Sequence, residues 1–250
     1  MPSLVGSEMC IRDRYNPSLR LKPLSDFIEK AKLHVAGTYL ACLKALEQGF
    51  AYHLGGGMHH AMSFAPGGFC MFNDIAIAAR KLQNEKGLKN ILVVDLDCHK
   101  GDGTAEIFEN DNSVFTFSIH MKNGWPLNID KFDKNKKINP SFIGSDLDVP
   151  VSFEDNYLRL LKQNFQRISL KEYDFAIVIH GVDVFEGDTL ESSSGIKLSK
   201  EEVLQRDLFI FESLNSISCP QAWCLGGGYG SNVHDLYIQF LNKALLVSSK

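Results

Sequence analysis

With 250 residues, 44% of them hydrophobic and 22% charged, the chain has the make-up of a globular protein with a sizeable core. A net charge of −4 gives no global electrostatic reason to bind nucleic acid or an anionic membrane, and no apolar run approaches the roughly 18 residues of a membrane span. Six cysteines, at 10, 42, 70, 98, 219 and 224, form no CxxC pair, a usage that fits reduced thiols in the cytoplasm better than a disulfide framework or a structural zinc site.

Met1–Arg14 (MPSLVGSEMCIRDR) has neither a period nor the layout of a signal peptide. It is expected to be non-native or disordered, which leaves 15–250 as one domain, since no repeat or Pro/Ser-rich linker divides it. From Ser25, the apolar positions Ile28, Ala31, Val35, Tyr39, Leu43 and Leu46 recur at helical spacing until Gly49. Phe50–Leu54 reads as a short strand running into a glycine-rich loop. A second helix covers Ile75–Leu82. Ile91–Leu96 is apolar at all but one position without alternation, as in a strand buried on both faces of a parallel sheet. Val114–Ile119 and Phe175–Ile179 read likewise. Lys122–Asp148 reads mostly as loop, Asp155–Ile168 as helix, and Ser199–Glu202 as a capping box ahead of Val203, Leu204, Leu208 and Phe211. A strand at Ala222–Leu225 and a helix at Val233–Leu246 close the chain. Alternating strands and helices predict a single-domain, three-layer α/β/α fold with a mostly parallel central sheet and its site at the carboxyl ends of the strands.

Every polar cluster falls at such an end. In Val94-Asp-Leu-Asp-Cys-His-Lys-Gly-Asp-Gly103 the period of an extended chain puts Asp95, Asp97 and His99 on one side. Carboxylate plus imidazole suits Zn2+, or Fe2+ or Co2+, and such groups buried unpaired would be costly. In Gly55-Gly-Gly-Met-His-His-Ala61 the adjacent histidines His59 and His60 are expected to point in different directions. They suit a general base/acid and an electrostatic partner, with Asp95 and Asp102 as orienting carboxylates. Asp183, in His180-Gly-Val-Asp-Val-Phe-Glu-Gly-Asp188, is the natural third ligand, leaving an open position for water as in a catalytic site. His180 reads as a core histidine. Tyr229, in Leu225-Gly-Gly-Gly-Tyr-Gly230, suits a phenol donor to a polarised carbonyl.

Together GGxHHA, GFCxFND, DLDxHxGDG, a strand-end GxDxxxGD and GGGY resemble, in this order and from about Val35 to Leu245, the histone deacetylase family of the arginase/deacetylase fold. The flavour, including Ile196–Asp207, is closest to class IV-like and bacterial members. The resemblance implies that Asp97, His99 and Asp183 hold zinc, and that His59 and His60 are the tandem histidines, partnered by Asp95 and Asp102, with His60 moving the proton. It implies that Tyr229 polarises the carbonyl and that Gly68, Phe69 and Gly228 line an acyl-lysine tunnel, with Trp125 a candidate for the opposite wall. It also implies a structural K+ among Asp95, Asp97, His99, Ser118 and Ile119. Lys100 stands where many members have a second, non-ligating histidine. The family's first strand and rim loops have no counterpart before Ser25, so an N-terminally truncated domain is expected.

The expected activity is zinc-dependent hydrolysis of an N-acyl amide, of protein lysine or of an acylated small amine, with no direct nucleic-acid or membrane partner. A binuclear manganese ureohydrolase of the same fold would need further bridging carboxylates, but position 101 is Gly101 and position 185 is Phe185. A non-catalytic fragment that binds metal or acyl ligands is the third reading.

Overall fold

The computed structural model describes residues 24–248, so the expectation for Met1–Arg14 lies outside the described residues. The elements in chain order are α1 (Leu24–Gln48), β1 (Phe50–His53), α2 (Asp74–Lys86), β2 (Ile91–Asp95), α3 (Asp102–Ile107), β3 (Val114–Met121), β4 (Leu147–Val151), α4 (Tyr157–Phe165), β5 (Phe175–His180), α5 (Lys200–Asn215), β6 (Gln221–Leu225) and α6 (Val233–Ser248). The six strands form one sheet in the order β1-β6-β5-β2-β3-β4, and every pairing is parallel.

The unalternating apolar run of β2 is explained by burial on both faces. Leu92 and Val94 enter a core with Tyr157, Leu161 and Phe165 of α4, Ile210 and Phe211 of α5 and Phe240 of α6. Ile91 and Val93 point the other way, to Cys42 and Ala45 of α1 and Ile75, Ala79 and Leu82 of α2. The result is the expected α/β/α sandwich. Local signals start and stop the helices. Asn73 caps α2 through Ala76 N–H, and Gly87 ends it at φ +72°. Ser199 and Glu202 form the capping box of α5.

Two elements depart from the sequence reading. The stretch Lys122–Asp148 ends in an edge strand, β4, whose short Leu-Asp-Val-Pro-Val sequence holds a proline that reads against a strand; at this edge Pro150 is exposed. The six-residue α3 is shorter than the window in which helical periodicity shows.

Because all the strands run the same way, their carboxyl ends share one rim. The four strands that carry the polar motifs, β1, β6, β5 and β2, are consecutive neighbours in the sheet although β1 and β2 precede β5 and β6 in sequence. Crossovers thus bring residues 57–60, 95–99, 183 and 227–229 into one cluster.

Candidate active site

Beyond β2 the chain leaves strand geometry after Asp95, so Asp97 and His99 converge through a turn and not through continued pleating. His99 N–H donates to Asp97 Oδ1 at 2.9 Å, and the same oxygen lies 3.0 Å from His99 Nδ1. Asp183, three residues past β5, places Oδ2 3.0 Å from that nitrogen. The second oxygen of each carboxylate is fixed by backbone. Gly227 N–H donates to Asp97 Oδ2 at 2.6 Å, and Cys98 N–H donates to Asp183 Oδ1 at 2.9 Å. Gly227 must be glycine here, because a Cβ would overlap Asp183 Oδ2.

Electrostatics point the same way. Burial pushes the Asp183 carboxyl up, and the neighbouring Asp97 charge adds to it. Burial acts likewise on Asp97, but the positive charges of His59 and His99 outweigh it and hold it well below the usual range. Burial lowers His99, yet hydrogen bonds from Asp183 and Asp97 raise it to about 10. The cluster therefore demands positive charge at His99 Nδ1, where both carboxylates converge. Donor atoms of Asp97, Cys98, His99 and Asp183 all lie within 4.8 Å of one another, so this donor set fits a divalent cation. Cys98 Sγ sits 3.1 Å from Asp183 Oδ2, a proximity across 85 positions that the sequence did not mark.

The tandem histidines correct one expectation. Their rings do not diverge; the centroids are 3.9 Å apart at 49°, and both line one cavity. The turn made by His59 N–H to Gly57 C=O allows this. Gly57 sits at φ +70°, and a Cβ there would overlap the Leu225 carbonyl oxygen. Each imidazole has its own carboxylate: His59 Nδ1 is 2.6 Å from Asp95 Oδ2, and His60 Nδ1 is 2.7 Å from Asp102 Oδ1. Ser141 Oγ in turn donates to Asp102 Oδ2 at 2.7 Å, a partner that nothing in the sequence marked. The two rings differ electrically. Burial lowers His59, but Asp95 and Asp97 outweigh it and raise it to about 9. Burial and then the charge of His59 lower His60 to about 4, with Asp102 opposing only in part.

The cavity encloses about 610 Å³ and is lined by His59, His60, Asp97, His99, Phe69 and Trp125, among others. Trp125 packs edge-on against His60 at 4.3 Å and lies 5.5 Å from His99. The Phe69 and Tyr229 rings are 6.0 Å apart. Gly68 lies on the lining where a side chain would strike Trp125 and His60. Gly228 is placed differently: it faces Val182 and Tyr237, and Gly226, Gly227 and Tyr229 line the cavity around it. Asp188 anchors Tyr229 by accepting its N–H at 2.6 Å, and Ser192 Oγ is 3.1 Å from His99 Nε2. Asp188 stood in a recognised motif without a role, whereas Ser192 carried no sequence signal. Ser118 lies opposite Asp95 in the β2–β3 register, next to Ile119, so three of the residues expected around a monovalent cation are neighbours. Lys100, buried, donates to Ile143 C=O at 2.6 Å and to Asp148 Oδ2 at 3.1 Å.

Fold and site together define an all-parallel α/β/α protein with a cation-binding donor set at the floor of a cavity on the strand ends. A profile of the histone deacetylase domain matches residues 13–244, and the chain belongs to the histone deacetylase family. It is 35% identical over 211 residues to an uncharacterised protein of a Picosynechococcus strain, covering 84% of this chain and 66% of that protein. It is 29% identical to histone deacetylase 2 of Arabidopsis thaliana over 78% of this chain and 48% of the relative. Over 68 residues it is 52% identical to the acetoin utilization protein AcuC of Staphylococcus aureus, 27% of this chain and 17% of that one. The chain thus spans two thirds or less of the length of these curated relatives. Among solved structures, an acetylpolyamine aminohydrolase from Burkholderia pseudomallei shares the fold with a TM-score of 0.67 at 23% identity, over 84% of this chain and 61% of that chain.

Proposed function

We propose that this protein hydrolyses the amide of an acylated amine, with one divalent cation held by Asp97, His99 and Asp183. Zn2+ is the expected ion, with Fe2+ an alternative, and when bound it supplies Lewis acidity that acidifies water and polarises an acyl carbonyl. The observation that carries the reading is the convergence of that donor set, two carboxylate-paired histidines and Tyr229 on one cavity.

The side chains divide the work. Asp102 engages His60 Nδ1, so Nε2 is the nitrogen free to accept a proton from water and return it to the departing amine. His60 is held neutral, as a proton acceptor must be. His59, held protonated between Asp95 and Asp97, supplies positive charge near the developing oxyanion. The Tyr229 hydroxyl donates to that oxyanion, while Phe69 and Trp125 exclude water and grip the acyl-bearing chain.

The family and its relatives support two substrates, an acyl-lysine of a protein or an acylated small amine, the second because the structural neighbour is an acetylpolyamine aminohydrolase. Potassium among Asp95, Asp97, His99, Ser118 and Ile119 is part of the same proposal, supported by the adjacency of Asp95, Ser118 and Ile119 across β2 and β3. The binuclear ureohydrolase alternative is disfavoured, since among the described residues one donor cluster is found and Gly101 and Phe185 supply no bridging carboxylate. A screen of the zinc-loaded chain against lysine peptides and polyamines with acyl groups of increasing length, with chelation and metal return, tests the proposal. Metal-restorable release of acid is expected; a folded, metal-loaded chain inert on every acyl amide would support the reading as a non-catalytic metal-binding protein instead.

A further inference from the structure

The tandem histidines sit in a loop that cannot hold itself. Gly55, Gly56 and Gly57 bring no side chains to pack, and glycine loses the most conformational freedom on ordering. The adjacent pair Asn73-Asp74 supplies what the loop lacks. Asp74, wholly buried, accepts from Gly57 N–H at 3.0 Å on Oδ2 and from Met58 N–H at 2.7 Å on Oδ1, immediately before His59. Thr38 Oγ1 donates to the same Oδ2 and is itself 3.0 Å from His53 Nδ1, which ties α1 and β1 into the contact. Immediately after His60, Asn73 Nδ2 donates to Ala61 C=O at 3.0 Å and to Thr104 Oγ1 at 3.1 Å, while Thr104 N–H donates to His59 C=O at 3.0 Å.

An ordinary helix start would use only the bond from Ala76 N–H to Asn73 Oδ1. Here the amide donor of Asn73 and both oxygens of Asp74 reach outside the helix to the histidine loop. Burying a carboxylate is costly, and it is offset by three donors and the amino end of α2. We infer that Asn73 and Asp74 are positioning residues that clamp the loop on both sides of His59 and His60, and so set the imidazoles against Asp95 and Asp102 and over the metal donors. The inference rests on the proposed hydrolase reading for its catalytic consequence, but its geometric content stands apart from it.

The test uses Asn73→Ser, which keeps a helix cap but loses the amide donor, and Asp74→Asn, which cannot accept both backbone N–H groups with the charge intact. Both are measured as full-length, metal-loaded protein for kcat and KM on an acetyl-lysine peptide, bound metal, Tm and the far-downfield proton resonances of the histidine N–H···carboxylate pairs, assigned through His59→Ala and His60→Ala. Displacing an imidazole by about 1 Å lowers kcat about 10²-fold, so kcat is expected to fall by that order in Asp74→Asn and about tenfold in Asn73→Ser. KM, metal content and Tm of Asn73→Ser are expected to stay near the parent, and the downfield resonances to shift. Retained kcat with unmoved resonances in both variants overturns the inference, as does a parallel collapse of Tm and kcat in both, which would make the pair ordinary core. If Asp74→Asn alone fails to fold, Asn73→Ser decides. A parent inert on every acyl amide sinks the hydrolase reading instead; the resonances then decide the clamp, shifted supporting it and unmoved overturning it.

Discussion

Of the buried histidine–aspartate pairs, His60–Asp102 and His180–Asp207 make the sharpest contrast, because the first borders the cavity and the second is sealed. His60 Nδ1 meets Asp102 at 2.7 Å, and His180 Nε2 meets Asp207 at 2.8 Å. Burial lowers both imidazoles. His60, however, lines the cavity beside Asp97 and His99, whereas His180 is closed in by the rings of Tyr52, Trp223, Tyr237 and Phe240 at centroid distances of 5.0–5.9 Å. Its other nitrogen is taken by Tyr52 OH at 3.0 Å. Asp207 is neutralised by Arg206, which donates onward to Leu96 C=O at 2.9 Å, just before Asp97. Under the proposed hydrolase reading, the same pair of groups serves chemistry where the fold leaves access and architecture where it does not.

Four measurements sharpen or break that contrast. His60→Ala should cost the most, lowering turnover about 10³-fold with little change in Tm, as loss of a general acid–base does. Turnover within about tenfold of the parent would put His60 in the same structural class as His180. Asp207→Ala should do the reverse: it strands the buried Arg206 guanidinium and costs about 3–5 kcal/mol of folding free energy, read by urea denaturation, while the folded fraction keeps its KM. A cheap substitution there would mean that the sealed network carries no stability.

Tyr229→Phe tests the open side again. Removing one oxyanion donor should lower kcat about 10²-fold and leave KM and stability near the parent; an unchanged kcat would exclude the phenol from the reaction. The smallest expected effect concerns buried neutral histidines as a class. Burial, reinforced by the charge of Lys100, lowers His120 to about 4. The unfolded chain binds its proton near pH 6.5 and the folded one does not, so stability is present above pH 6.5 and is lost as pH falls toward 4. For His120 alone this amounts to about 2 kcal/mol at pH 5, and His180 acts in the same direction. Comparing the parent with His120→Asn, both chelated, at pH 7 and pH 5 isolates it from His59 and His99, whose raised positions act in the opposite direction; an identical pH dependence in the two proteins would contradict the buried neutral state.

What the sequence alone determined was local in nature. Period and composition located the doubly buried strands, the helices with their caps and the polar groups at strand ends, because each rests on residues within a few positions of one another. Edge strand β4, short and interrupted by Pro150, and α3, too short, lay below the reach of that signal. Only the tertiary structure decided which ends meet. The sheet order sets β6 and β5 between β1 and β2, so Gly227 reaches Asp97 across 130 positions and Asp183 reaches Cys98 across 85. It also decided that the tandem rings share one cavity, that Ser141 supports Asp102, and that His60 borders the cavity while His180 is sealed. The physical reason is that access and partnership depend on crossovers and on which face each helix covers, and these are fixed by packing between segments remote in sequence.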